Sequence, residues 1–136
     1  AFANGHPLWF NLSHSGDDIA MLISDEGEVG CDIEVIRPRE NWQALANAVF
    51  SLTEHDELER EAPEEQLSAF WRIWTRKEAI VKQRGGSAWQ IVSIDSTAQS
   101  LPVSQLRFGS LSLAVCTPTP FTLTAESVTY SGISAA

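Results

Sequence analysis

Val29-Gly30-Cys31-Asp32-Ile33-Glu34-Val35 decides how the chain is read. Val29, Cys31, Ile33 and Val35 alternate strictly with Gly30, Asp32 and Glu34, the period of a strand with one face in a core. On the second face Asp32 and Glu34 are neighbours, about 7 Å apart along a strand that rises about 3.3 Å per residue. Two carboxylates that close repel each other unless a cation stands between them. A hard divalent cation such as Mg2+ takes oxygen ligands and often keeps phosphates as co-ligands. The plain alternative is a solvated strand face, on which D-x-E costs little.

Upstream of this strand, Leu8 to Leu12 reads as a short strand, Ser13-His14-Ser15-Gly16-Asp17-Asp18 as a turn-rich break, and Ile19 to Ile23 as a second apolar strand. Asp25-Glu26-Gly27 supplies a hairpin turn, so the first third is expected to be an antiparallel meander. Downstream, Asn41 is placed to cap a helix over about 42–49. Ser51 and Glu54 have capping-box spacing ahead of a short acidic helix that runs to about 60. Pro63 opens a longer helix that reaches Arg84, and Gly85-Gly86 ends it. Residues 89–94, 106–108, 111–116 and 121–128 read as further strands, and 131–136 as a frayed tail. Strands, then helices, then strands make an α+β fold: an antiparallel sheet packed against a long helix.

The 136 residues are 43 % hydrophobic and 20 % charged, enough for a real core and unlike a disordered segment. No apolar run reaches membrane-spanning length, so no membrane role is expected. Cys31 and Cys116 lie in apolar runs and are expected to be free thiols in a reducing, cytoplasmic compartment. The net charge of −9 argues against nucleic acid as a partner. The charge is uneven. Residues 54–65 hold seven acids, while Arg72, Arg76, Lys77, Lys82 and Arg84 gather five of the nine basic residues. Such a basic cluster on an acidic protein is expected to bind anions.

The long helix carries a second misplaced acid. Trp71, Trp74, Glu78 and Val81 share one stripe, so Glu78 lies beside the buried face, where an ionised carboxylate needs a partner or a metal. Lys82 stands one turn on, and an ordinary Glu78–Lys82 helix pair is the plain reading. Ser13-His14-Ser15-Gly16 offers hydroxyls, an imidazole and backbone amides at a strand end, which suits a phosphate. The plain reading is a turn that satisfies its own backbone.

Taken together, three stretches carry a resemblance. Phe10-Asn11-Leu12-Ser13-His14-Ser15-Gly16, Gly30-Cys31-Asp32-Ile33-Glu34, and Phe70-Trp71-x-x-Trp74-Thr75-Arg76-Lys77-Glu78-Ala79-x-x-Lys82 resemble the three motifs of 4'-phosphopantetheinyl transferases of the surfactin-synthetase-activating type, nearest the enterobacterial holo-acyl-carrier-protein synthase 2 group. Order and spacing agree over roughly residues 5–95. The resemblance implies transfer of the phosphopantetheine arm of coenzyme A to a serine of an acyl carrier protein, releasing adenosine 3',5'-bisphosphate. It puts Asp32, Glu34 and Glu78 at Mg2+-binding positions, with Mn2+ an equal fit to oxygen ligands. It puts Ser13 and His14 against coenzyme A phosphates, and Lys82 against the pyrophosphate. Glu78 and Lys82 then have catalytic roles, the first taking the serine proton and the second offsetting charge. Glu54 matches a further family position of less obvious role.

Members of this type usually have two similar lobes, and residues 1–136 are expected to form one of them, the C-terminal lobe, with most of the N-terminal lobe lacking. We expect the lobe face left open to self-associate. Carrier proteins are typically acidic, so docking is expected to use the basic face of 72–84. Two other readings use the same residues: a Mg2+-dependent phosphohydrolase, and a non-catalytic lobe that binds its partner through the acidic segment 54–65.

Overall fold

The computed structural model describes residues 2–3, 6–16, 18–85, 88–97 and 102–118. Its strands are β1 (Phe2–Ala3), β2 (His6–Pro7), β3 (Trp9–Ser15), β4 (Asp18–Ser24), β5 (Gly30–Val35), β6 (Val103–Phe108) and β7 (Leu111–Cys116). Its helices are α1 (Trp42–Val49), α2 (Leu52–Glu59) and α3 (Gln66–Gln83). Strands with helices between them, and antiparallel pairing throughout, make the expected α+β fold. The strand expected over 121–128 and the tail 131–136 lie outside the described residues.

The first third is not a meander. β3 and β4 form a hairpin from Trp9↔Ser24 to Ser15↔Asp18, but β5 pairs with β7, from Gly30↔Cys116 to Val35↔Leu111. With β6 on the far side of β7, the sheet order is β5-β7-β6. β3 runs on through Ser13-His14-Ser15, so the break begins only at Gly16, which takes the left-handed φ of +59° that glycine tolerates.

β5 is covered on both faces, not one. Cys31 packs with Val115, Leu22, Leu106 and Leu113 on the hairpin side. The other face lies under α3. A Cβ on Gly30 would sit 2.0 Å from the Ala79 carbonyl oxygen and 2.4 Å from the Gln83 nitrogen. Only a residue without a side chain lets helix and strand backbones approach so closely. The main core lies on that side, where Phe70, Trp71, Ile73, Ala79 and Ile80 are fully buried and the Phe70 ring meets Phe50, Trp42 and Trp74. Cys31 and Cys116 are both free and buried, as expected, and burial pushes each thiol up to about 11.

Two local readings change. Residues 88–93 form a 3-10 helix, not a strand. Ile91 and Ile94, three apart, are both buried, a spacing that fits a turn and not a pleat. Asn41 precedes α1 in a left-handed conformation, φ 60°, and its side chain caps nothing; it serves as a turn residue, a geometry Asn tolerates. The Ser51/Glu54 capping box is present as expected. α3 starts at Gln66, after a 3-10 turn over Pro63–Glu65, and ends ahead of Gly85, which has φ +68°.

Candidate active site

The β5–α3 crossing brings the acids together. Gly30 clamps the strand to the helix at Ala79 and Gln83. Asp32 and Glu34 follow on the same face of β5, and Glu78 and Lys82 each precede one of the two clamped helix residues. Lys82 reaches across to Asp32, Nζ to Oδ1 at 3.3 Å, and is not paired within its own helix to Glu78. The charges of Asp32 and Glu78 each act on Glu34, so the three carboxylates form one electrostatic group.

Burial is the larger force on all three. It raises Asp32, against the pull of Lys82 and of the Ser13 hydrogen bond. It pushes Glu34 up to about 7, with the Asp32 charge adding to it. It raises Glu78 too, again helped by Asp32. Asp32 is 4 % exposed, and its Oδ2 is buried with no hydrogen-bond partner. A buried carboxylate oxygen left without a donor is costly unless a cation meets it. Among the described residues no three His, Cys, Asp or Glu side chains stand close enough together to hold a metal ion as they are placed. The donor set nevertheless suits a hard divalent cation: oxygen ligands alone, one of them orphaned, in a cluster short of positive charge.

Ser13 and His14 part company. Ser13 is buried; its hydroxyl donates to Asp32 Oδ1 at 3.0 Å and accepts from the Ile33 amide at 3.1 Å. It acts as a strut for the carboxylate. His14 is exposed, and strand alternation sends it to the opposite face of β3. The expected site residues Ser13, Asp32, Glu34, Glu78 and Lys82 therefore meet, and His14 stands apart.

Sequence reasoning missed the neighbours of that strut. Asn11 Oδ1 accepts from the Cys31 amide at 3.0 Å and Ser15 Oγ from the Val35 amide at 3.2 Å. Asn11, Ser13 and Ser15 thus satisfy the edge amides of β5 that β7 cannot reach. The signal was present: polar Asn11, Ser13 and Ser15 alternate with apolar Phe10 and Leu12. In this hairpin the polar face is turned in and the apolar face out. Phe10, Leu12, Ile19, Met21 and Ile23 are each more than half exposed.

The expected basic face of 72–84 does not exist as one exposed surface. Lys77 is wholly buried and paired with Glu54 at 2.7 Å. Arg76 grips both oxygens of Glu57, at 2.8 and 3.2 Å, and Arg72 reaches Glu57 and Glu61. Burial tends to raise Glu57, but these guanidiniums outweigh it and hold its carboxyl below the usual range. Three acids of segment 54–65, Glu54, Glu57 and Glu61, thus pair with three bases of the stretch after it, Arg72, Arg76 and Lys77. Glu54, Glu57 and Glu61 are accordingly committed within the chain and are not free for the partner that a non-catalytic binding lobe would take through this segment.

Glu54 is saturated. Its Oε1 accepts from Ser51 N at 2.8 Å and from Lys77, and its Oε2 accepts from Ser96 N at 2.9 Å and from the Ser96 hydroxyl. Lys77 also donates to the Ile94 carbonyl and lies 5.9 Å from the Phe50 ring centre. This network ties α2, α3 and the 94–96 segment together beneath the helix that holds Glu78.

Residues 28–128 match the family model described as 4'-phosphopantetheinyl transferase superfamily. The chain is 77 % identical over 130 residues to the 4'-phosphopantetheinyl transferase AcpT of Salmonella typhimurium, covering 95 % of this chain and 68 % of that protein. It is 74 % identical over 131 residues to AcpT of Escherichia coli K12, covering 96 % and 67 %. A 4'-phosphopantetheinyl transferase of Bacillus subtilis is 37 % identical over 78 residues, 57 % of this chain and 34 % of that protein.

Proposed function

The chain belongs to the 4'-phosphopantetheinyl transferase superfamily, and from that premise we propose that it transfers the phosphopantetheine arm of coenzyme A to a serine of an apo acyl carrier protein. One observation carries the site assignment: three carboxylates and Lys82 meet at one strand–helix crossing, around a buried Asp32 oxygen that lacks a donor.

In this reading Asp32, Glu34 and Glu78 would hold Mg2+, or Mn2+. When bound, the cation neutralises phosphate charge and makes the phosphorus more open to attack. The carrier serine oxygen forms the new P–O bond as the bond to the departing adenosine 3',5'-bisphosphate breaks. Glu78, the half-buried helix carboxylate, accepts the serine proton. Lys82 is 28 % exposed, free enough to turn from Asp32 toward the oxygens on which charge grows. Ser13 keeps Asp32 aimed; His14, exposed on the other face of β3, would meet coenzyme A phosphates only outside the carboxylate cluster. Phosphoryl transfer asks mainly for positioning and charge neutralisation, which is what this residue set provides.

We further propose that the chain forms one lobe of the transferase fold, that its apolar hairpin face self-associates, and that it works in the cytoplasm. Among the described residues no helix is long and apolar enough to cross a membrane. The net charge of −9 disfavours nucleic acid.

The test is the intact mass of an apo acyl carrier protein after incubation with the chain, coenzyme A and Mg2+. The expected gain is one phosphopantetheine, lost with EDTA and lost in Asp32→Ala, which stays folded. A fully active Asp32→Ala protein would remove Asp32 from the mechanism.

A further inference from the structure

Arg72, Arg76, Lys77 and Lys82 are spent on carboxylates. Arg37 and Arg39 are different. Both are exposed, and among the described residues neither is within salt-bridge distance of a carboxylate. Both are nevertheless held in place. The Arg37 guanidinium lies 5.0 Å from the Trp71 ring centre, and that of Arg39 lies 5.9 Å from Trp71 and 5.7 Å from Trp74. Trp71 is 1 % exposed, and its indole N–H donates to the Arg37 carbonyl at 2.8 Å, which fixes ring and backbone together. Pro38 stiffens the step between the two arginines.

A guanidinium resting on an aromatic face still presents its N–H edge outward, ready for a carboxylate. The entropy of fixing a long side chain has then been met before any partner arrives. The position is also telling. Arg37 follows Glu34 by three residues along an extended chain, about 10 Å at strand rise. A protein seated on these arginines would have its surface beside the carboxylate cluster. On a chain of net charge −9, an acidic partner needs such a local cationic foothold to approach at all.

We infer that Arg37 and Arg39, stacked on Trp71 and Trp74, form the docking platform for the acidic surface of the carrier protein. This deepens the transferase reading and rests on it for the identity of the partner. The arginines are positioning residues for the carrier, not part of the reacting group.

The experiment is binding of a fluorescently labelled apo acyl carrier protein to the full chain, followed by anisotropy, with coenzyme A binding measured beside it by calorimetry. Arg37→Glu/Arg39→Glu should weaken carrier binding by about tenfold or more, and Arg37→Lys/Arg39→Lys should stay within about threefold, with coenzyme A affinity unchanged in both. Carrier affinity of the unaltered chain should fall with salt more steeply than that of the reversed variant. Unchanged carrier binding after charge reversal overturns the inference. So does a loss that appears in coenzyme A binding instead, or a failure of the unaltered chain to bind the carrier. The transferase reading fails separately: arginine-dependent binding without mass transfer sinks that reading and leaves the platform, and transfer with arginine-independent binding does the opposite.

Discussion

Lys77 and Glu78 are adjacent in sequence and opposite in fate. Lys77 points into the core to Glu54, with both side chains at 0 % exposure, whereas Glu78 stays at the edge beside Asp32 and Glu34. A buried ion pair costs least to keep when its polar atoms find partners, and here Glu54 accepts four hydrogen bonds while Lys77 donates to Glu54 and to the Ile94 carbonyl. Removing one member strands the other. Lys77→Met should therefore destabilise the chain by about 3–5 kcal/mol, and Glu54→Gln/Lys77→Met by clearly less, as read from chemical denaturation. A single-variant loss below about 1 kcal/mol would mean that the pair is solvated. The sequence carried half of this. The Ser51/Glu54 capping box was legible because it is local. The burial of Lys77 was not, because a lysine beside a glutamate in a charged helix reads as surface; only the tertiary placement of α2 and of Ser96 inverts it.

Elements were legible where their signal was local and opaque where it was not. The D-x-E strand, the long helix and its Gly85 end all follow from periodicity and termination residues. The partner of β5 did not follow. A hairpin turn after β4 favoured the nearest strand, but the amides on one edge of β5 are taken by Asn11, Ser13 and Ser15 side chains, and its backbone ladder belongs to β7. Residues 88–93 were opaque for another reason, since a short apolar run fits a pleat or a turn equally until the buried residues are known. Gly30 is where element packing and site geometry coincide. Gly30→Ala puts a methyl against the backbone of α3, which must retreat and take Glu78 and Lys82 with it. The variant should lose about 1–3 kcal/mol of stability. Its carrier modification should fail even well below its unfolding temperature, and full activity in the folded variant would show that the helix can shift without disturbing the site.

For the whole molecule, the inverted hairpin is the main consequence of the sheet arrangement. Phe10, Leu12, Ile19, Met21 and Ile23 sit on one face, with Phe10 opposite Ile23 and Leu12 opposite Met21. A contiguous apolar patch of that kind marks an interface. Light scattering should give a mass above one chain, and Leu12→Lys/Met21→Lys, altering a directly opposed pair, should return it to one chain with the helical signal kept. A monomeric unaltered chain would rule self-association out. The pairing of β5 with β7 has its consequence in the order of assembly. Val35 must find Leu111 and Gly30 must find Cys116 across all three helices. Closing so long a loop is slow compared with zipping up the β3–β4 hairpin or winding α3. During synthesis Asp32 and Glu34 leave the ribosome ahead of β7, so their strand has no ladder partner until Leu111–Cys116 has followed. The carboxylates are thus made well before the strand that fixes them, so premature termination before Leu111 erases the site while every one of its residues is still present.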